Sequence, residues 1–335
     1  MKIEGKRILV TGGAGFIGSH LVDLLSSTND VTVLDDFSVG ATANLREVPR
    51  PVRILRTDIT DSAAVRAAVS QAEVIFHLAV VCLRVSISDP MRSHLTNDLG
   101  TLNLLMAARD SAIERFVHVS SSEVYGTSVR ESMDEDHPLN PTTPYGASKA
   151  AADTYALSFH HTYGMPVTVV RPFNTYGPRE HLDGPSGEVI PKFVARALAG
   201  KPLLVFGDGL QTRSFTWVGD IVRGIALAAQ SDALVGSAIN IARAEEVSVL
   251  AIAHHLRRML GREVRIDHRA ERPGDVRRHN AGVERARRLL GFHADVGIEE
   301  GLARYLAWVR SQAGEPSKWL EREQELNWEP VAQPA

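Results

Sequence analysis

The chain has 335 residues, a formal net charge of −3, 44% hydrophobic and 23% charged residues, which is long enough for a substantial core and typical of a globular protein rather than a disordered one. The lack of a basic surplus disfavours a general nucleic-acid binder, and its single cysteine, Cys82, excludes an internal disulfide and fits a reducing compartment. No apolar run reaches the roughly 18–20 residues that cross a bilayer and no signal-peptide pattern opens the chain, so a cytoplasmic protein without membrane or nucleic-acid partners is expected.

In chain order, short β-branched runs alternate with helical patterns. Strands are predicted at Arg7–Thr11, Val31–Leu34, Val52–Arg56, Val74–Leu78, Phe116–Ser120 and Val167–Arg171. Helices are predicted at Ser19–Ser26, Ala63–Ser70, Asn97–Ser111 and Tyr145–Tyr163. Buried strands separated by helices make βαβ units, hence an α/β fold with a doubly wound parallel sheet. Beyond Pro172 Gly, Pro and polar residues cluster and strict alternation stops. The predicted organisation is a dinucleotide-binding domain over residues 1–172, a smaller mixed α/β domain mainly for substrate over 173–313, and a loosely held tail over 314–335.

The first strand runs into Thr11-Gly12-Gly13-Ala14-Gly15-Phe16-Ile17-Gly18 and directly into a helix. Gly12 permits a tight turn, Gly15 lets backbone approach a pyrophosphate, and Gly18 lets helix and strand pack closely, leaving the helix N-terminal N–H groups aimed at phosphate. A Gly-rich string alone is weak, but strand, turn, helix and an acidic end to the next strand occur here in the required order. That acidic residue is Asp35, followed by Asp36; its carboxylate accepts from ribose hydroxyls and repels a 2′-phosphate, so NAD is expected over NADP. Asp58-Ile59, after the third strand, suits either the adenine edge or a helix N-cap.

Tyr145 and Lys149, four residues apart, share one helical face. An ammonium nearby stabilises a phenolate and brings it towards the range of a general base. Upstream, Ser120-Ser121-Ser122-Glu123-Val124-Tyr125-Gly126 places hydroxyls beyond a strand, where doubly wound proteins bind substrate.

Together with His77-Leu78-Ala79, Asn97-Asp98-Leu99-Gly100-Thr101, Arg171-Pro172-Phe173-Asn174-Thr175-Tyr176-Gly177-Pro178-Arg179, Asp208–Phe215 and Arg272–Arg277, these segments resemble the extended short-chain dehydrogenases/reductases of the NAD-dependent nucleotide-sugar epimerase/dehydratase family. The resemblance spans roughly residues 5–310. It implies NAD on Gly12, Gly15, Phe16, Ile17, Asp35, Asp36, Asp58, Ile59, Leu78, Ala79, Asn97, Tyr145 and Lys149. It implies Tyr145 as base, Lys149 on the nicotinamide ribose, and Ser121 on the reacting sugar hydroxyl. Asn174, Arg179 and Arg213 would meet a nucleotide-diphosphate sugar, with Arg277 on the diphosphate; the planar guanidinium fork suits such paired bonds. Read without the motif, Arg213 and Arg277 are ordinary ion pairs. UDP is the nucleotide the resemblance favours, and a homodimer through Asn97–Ser111 and Tyr145–Tyr163 is implied.

The shared chemistry of that family oxidises a sugar hydroxyl, commonly at C4, to a transient ketone. Its 4,6-dehydratases carry an Asp–Glu pair after the serine; here Ser122-Glu123 stands instead, and serine is a poor general acid. Ser122-Glu123 also resembles the UDP-glucuronate decarboxylases, whereas Arg272–Arg277 looks more like the 4-epimerases. The expectation is a 4-epimerase of the UDP-glucose or UDP-glucuronate type, with decarboxylation or dehydration as the alternative. Glu123 is also suited to a C5 proton. Arg84, in the unusual loop Val80–Ser86, would face either an acidic sugar or phosphate, or only solvent beside the cleft. Cys82 reads as a packing residue. An NAD-binding regulator on the same fold is the non-enzyme alternative, disfavoured because Tyr145, Lys149 and Ser121 are all present. The pairs His160-His161 and His254-His255 lack acidic or Cys partners at ligand spacing, so no metal is expected.

Overall fold

The computed structural model describes all residues except 183, 262, 313–318, 322 and 330–335. Its centre is a seven-stranded sheet of β1 (Arg7–Thr11), β2 (Asp30–Asp35), β3 (Arg53–Arg56), β4 (Val74–His77), β5 (Arg115–Val119), β6 (Val167–Pro172) and β7 (Ser237–Ile241). The strands lie in the order β7-β6-β5-β4-β1-β2-β3, and every pairing is parallel. This is the doubly wound Rossmann arrangement, whose strand order reverses beside β1 and opens a crevice at the C-terminal strand ends.

Alternation along the strands divides the core. Ile8 and Val10 of β1, with Val74 and Phe76 of β4, pack under helices α1 (Phe16–Ser26) and Val218–Gln230. Leu9 and Ile75 face the other way, towards α2 (Ser62–Val69), α3 (Gly100–Arg109) and α4 (Pro144–Tyr163). Both faces are covered, which is why the strands read as near-continuous apolar runs.

The helices form where the local chemistry directs. Asp61, not Asp58, caps α2, accepting from the amides of Ala63 and Ala64. Thr143 caps α4 with Pro144 at its first position, and Gly164 ends it in the left-handed conformation. The helix expected over 97–111 begins earlier, as Pro90–Ser93, then a wide π-type turn over His94–Leu99, then α3. That turn brings Asn97 into the interior, a frequent use of such bulges.

The sheet draws on the chain beyond Pro172, since β7 and Val218–Gln230 both come from there. The remaining later elements build a second core on helices Val189–Leu198, Val249–Leu260 and Ile298–Ser311, with Ile190, Phe193, Leu256, Leu302 and Tyr305 among its buried side chains. A parallel pair, Leu203–Phe206 with Ile266–Arg269, edges this layer. Of the expected tail, residues 314–318, 322 and 330–335 lie outside the described residues. Residues 323–329 do not hang loose: Trp328 and Asn327 are buried, and Asn327 donates to the Gly187 carbonyl at 2.9 Å.

Candidate active site

A cleft of about 730 Å³ runs from the Gly-rich turn after β1, across the ends of β5 and β6, to the second core. At the turn, Gly12 adopts φ +68°, and a Cβ there would lie 2.6 Å from the Ala79 amide nitrogen. A Cβ on Gly18 would lie 2.1 Å from the Gly12 carbonyl oxygen. Helix α1 starts after Gly15 with no side chain capping its amides, and Gly15, Phe16 and Ile17 all line the cleft. Such uncapped N–H groups beside close-packed glycines suit a pyrophosphate.

Asp35 is buried at the end of β2, where it accepts from the Ala14 amide at 2.9 Å and the Phe37 amide at 2.8 Å. Burial raises its pKa, against those two hydrogen bonds. Its carboxylate keeps lone pairs for ribose hydroxyls. Asp36, Asp58, Ile59, Leu78 and Ala79 line the same stretch. Asp36 and Asp58 are also used locally, accepting from Ser38 and Thr60. The residues therefore fit a bound dinucleotide.

The candidate reactive groups sit at the ends of β5 and α4. Ser121 follows β5, accepts from the Glu123 amide at 3.2 Å, and lines the cleft together with Tyr145. Lys149, one turn along α4, is buried and donates to the Val119 carbonyl at 2.8 Å. The sequence led us to expect Lys149 to draw the Tyr145 phenol down. Instead burial holds Tyr145 above its ordinary value, opposed by the Ser121 hydroxyl, while Glu123 and Glu188 push it further up. Burial also lowers Lys149 to about 8, countered by Asp153.

Glu123 and Ser122 line the cleft beside them. Burial raises the Glu123 carboxyl, opposed by Arg213 and Arg272. His279 Nδ1 lies 3.8 Å from it, but burial drives His279 down to about 3, so that pair is not ionic at neutral pH. Asn174 lines the cleft too, and its side-chain oxygen is buried without a partner among the described residues. That orphaned acceptor is what an incoming hydroxyl or amide would satisfy.

Arg84 is neither exposed nor solvent-facing, as one alternative had it. It is buried, donating to both carboxylate oxygens of Glu188 and, at 3.1 Å, to the Ser186 carbonyl. Arg213 is buried and donates to Asp275 at 2.9 Å and the Thr212 carbonyl at 2.8 Å.

Three predicted residues stand apart from the cleft wall. Asn97 is buried behind it, accepting from the Val81 amide and donating to the Val81 carbonyl and to Ser93 and Ser148; it pins the loop that carries Ala79 and Cys82. Arg179 pairs with Asp23 of α1 at 2.7 Å. Arg277 is exposed and forks onto Asp208 at 2.7 and 2.9 Å. Each arginine found an acidic partner distant in sequence, which residue type alone does not reveal. Missed from the sequence were Arg272, Asp275, Glu180, Glu188 and Lys192, all lining the cleft; only the Arg272–Arg277 motif hinted at the first two. Among the described residues no cluster of His, Cys, Asp or Glu is arranged to hold a metal, and no helix is long and apolar enough to cross a membrane.

Comparison with known proteins agrees with this geometry. Residues 9–305 match the family described as GDP-mannose 4,6 dehydratase. The chain is 35% identical over 313 residues to a UDP-glucose 4-epimerase of Mycolicibacterium smegmatis, covering 92% of this chain and 99% of that protein. It is 35% identical over 318 residues to a UDP-N-acetyl-alpha-D-glucosaminuronate decarboxylase of Bacillus cytotoxicus, covering 91% and 98%. Its fold superposes on a dTDP-glucose 4,6-dehydratase of Streptomyces venezuelae, solved with NAD bound, with TM-score 0.86, 35% identity, and 91% and 97% coverage. The chain belongs to the NAD-dependent nucleotide-sugar epimerase/dehydratase family of extended short-chain dehydrogenases/reductases.

Proposed function

We propose that the protein is a nucleotide-sugar 4-epimerase of the UDP-glucose type, acting through a transient 4-keto sugar. The observation that carries this is that Ser121, Tyr145 and, one turn further along α4, buried Lys149 all line one cleft. When bound, NAD supplies the hydride acceptor and a positive ring charge that helps bring a buried phenol into range. Tyr145 takes the C4 hydroxyl proton and later returns it; Ser121 relays and holds that oxygen; Lys149 orients the ribose. Asn174 and Arg213 bind the sugar nucleotide. A neutral sugar is favoured over a uronate because Arg84, the cation beside Glu188, already has its charge matched there.

Proton NMR of UDP-glucose incubated with NAD-loaded protein and no external reductant tests this. Appearance of the 4-epimer supports the assignment; a 6-deoxy-4-keto product, or a pentose from UDP-glucuronate alone, overturns it.

Glu123 supports a second reading, in which a buried carboxyl with a raised pKa moves a C5 proton and the reaction proceeds to elimination or decarboxylation. Glu123→Gln separates the two: C4 epimerisation survives it, C5 chemistry does not.

A homodimer is part of the proposal. Leu95, Leu99 and Met106 on the 90–109 run, and Tyr155 and Tyr163 on α4, are exposed apolar groups on the two helices concerned. A monomeric mass in solution would refute it.

A further inference from the structure

The cleft continues past the reactive groups along a ladder of charges. Arg84 and Glu188, paired with each other, line it beside Tyr145 and Glu123. Lys192 and Arg196, both on the helix Val189–Leu198 of the second core, line it as well. The Gly-rich turn lies at the opposite end, so this distal end takes the part of the substrate that does not react.

Its wall is completed by a segment far along the chain. Arg196 binds Glu323 at 2.7 Å and Glu325 at 3.2 Å. Lys192 donates to the Gln324 carbonyl at 2.6 Å. Trp328 packs edge-to-face on Phe206 with ring centroids 4.8 Å apart, and both rings line the cleft. The segment lies beyond residue 305, where the family match ends.

The geometry points to residues 323–329 as a built part of the substrate site: a C-terminal strap that walls the distal cleft and receives the base of a nucleoside diphosphate against Trp328 and Phe206. The physical case has two parts. Two perpendicular aromatic planes form an apolar wall for a flat heterocycle, and such stacking is tolerant of base identity. Glu323, Glu325 and the Gln324 carbonyl also use the charges of Arg196 and Lys192, leaving the diphosphate to Arg213 and Arg272, two cations that share the single carboxylate of Asp275. The inference rests on the nucleotide-sugar reading above and adds the strap to it.

The test is calorimetric binding of UDP, with dTDP, GDP, CDP and ADP as a panel, to full-length protein, with retained NAD measured in the same samples. Trp328→Ala should weaken binding of the preferred diphosphate by about tenfold or more, as loss of a stacking ring does, with NAD retention unchanged. Glu323→Gln with Glu325→Gln should weaken it in the same direction by loosening the strap from Arg196. Unchanged diphosphate affinity in both variants overturns the strap alone. Tighter binding in either makes the segment a competitor of the nucleotide and also overturns it, as does joint loss of NAD and diphosphate in both. If the unmutated protein binds none of the panel, the nucleotide-sugar reading falls and takes the strap with it.

Discussion

Asp153 accepts from Arg171 Nε at 2.9 Å, one helical turn beyond Lys149. His118 Nε2 lies 3.3 Å from its other oxygen, and burial lowers that histidine to about 4, so it is neutral at working pH. Arg171 is further tied to Tyr125 at 2.8 Å, and Tyr125 to Asn240 at 2.8 Å. The part of α4 that carries Lys149 thus rests on a buried polar network that joins β5, β6 and β7, and the Asp153 charge opposes the lowering of Lys149 by burial.

The pH dependence follows. Lys149, held to about 8, carries its charge below that pH and loses it above. Asp153 opposes the lowering, so Asp153→Asn moves loss of the ammonium to lower pH. The alkaline limb of kcat/KM should shift acidwards relative to the unmutated protein. A pH–rate profile with an unmoved alkaline limb would uncouple Asp153 from Lys149.

Tyr145→Phe removes the hydroxyl that takes the sugar proton in the proposed reaction. Turnover should fall by about 10²–10⁴-fold, the usual worth of a positioned acid–base group. NAD content, read by absorbance after denaturation, should stay the same because the Gly-rich turn is untouched.

Asp35→Ala removes the charged acceptor that, in the proposed site, faces the ribose hydroxyls. NAD affinity should drop by roughly ten- to a hundredfold, given about 1.5–3 kcal/mol for a charged hydrogen bond, and the disadvantage of NADP should shrink. Since burial raises Asp35, its charge is lost on acidification earlier than that of an ordinary carboxyl, so NAD titrations in the unmutated protein should weaken first on the acid side.

Gly18→Ala places a methyl 2.1 Å from the Gly12 carbonyl, a backbone atom that cannot swing away. The turn must open, at a cost of about 1–3 kcal/mol typical of overpacking. Thermal unfolding should fall by several degrees and NAD should be lost together with it; a variant that keeps both would refute the close approach.

Glu188→Gln strips most of the counter-charge from buried Arg84. The cation then seeks another partner, so binding of UDP-glucuronate should improve relative to UDP-glucose. Competition of the two sugars for the cleft, measured before and after the change, checks this; an unchanged ratio would place Arg84 outside the sugar's reach.

The sequence by itself determined whatever depends on neighbours a few residues apart. Near-continuous apolar runs separated by helical patterns forced covered parallel strands; the glycines at 12, 15 and 18 shaped the turn after β1; the four-residue spacing set Tyr145 and Lys149 on one face of α4. Such features are local, because backbone sterics and helical period act over single turns. Tertiary structure alone decided which charges meet. Arg84 and Glu188 are 104 residues apart, Arg179 and Asp23 156 apart, and Lys192 and Gln324 132 apart. An arginine carries the same charge whether it ends on a phosphate or on a carboxylate, so only folding could assign Arg213 to the cleft, Arg179 to α1 and Arg277 to the surface, and bring residues 323–329 across to Phe206.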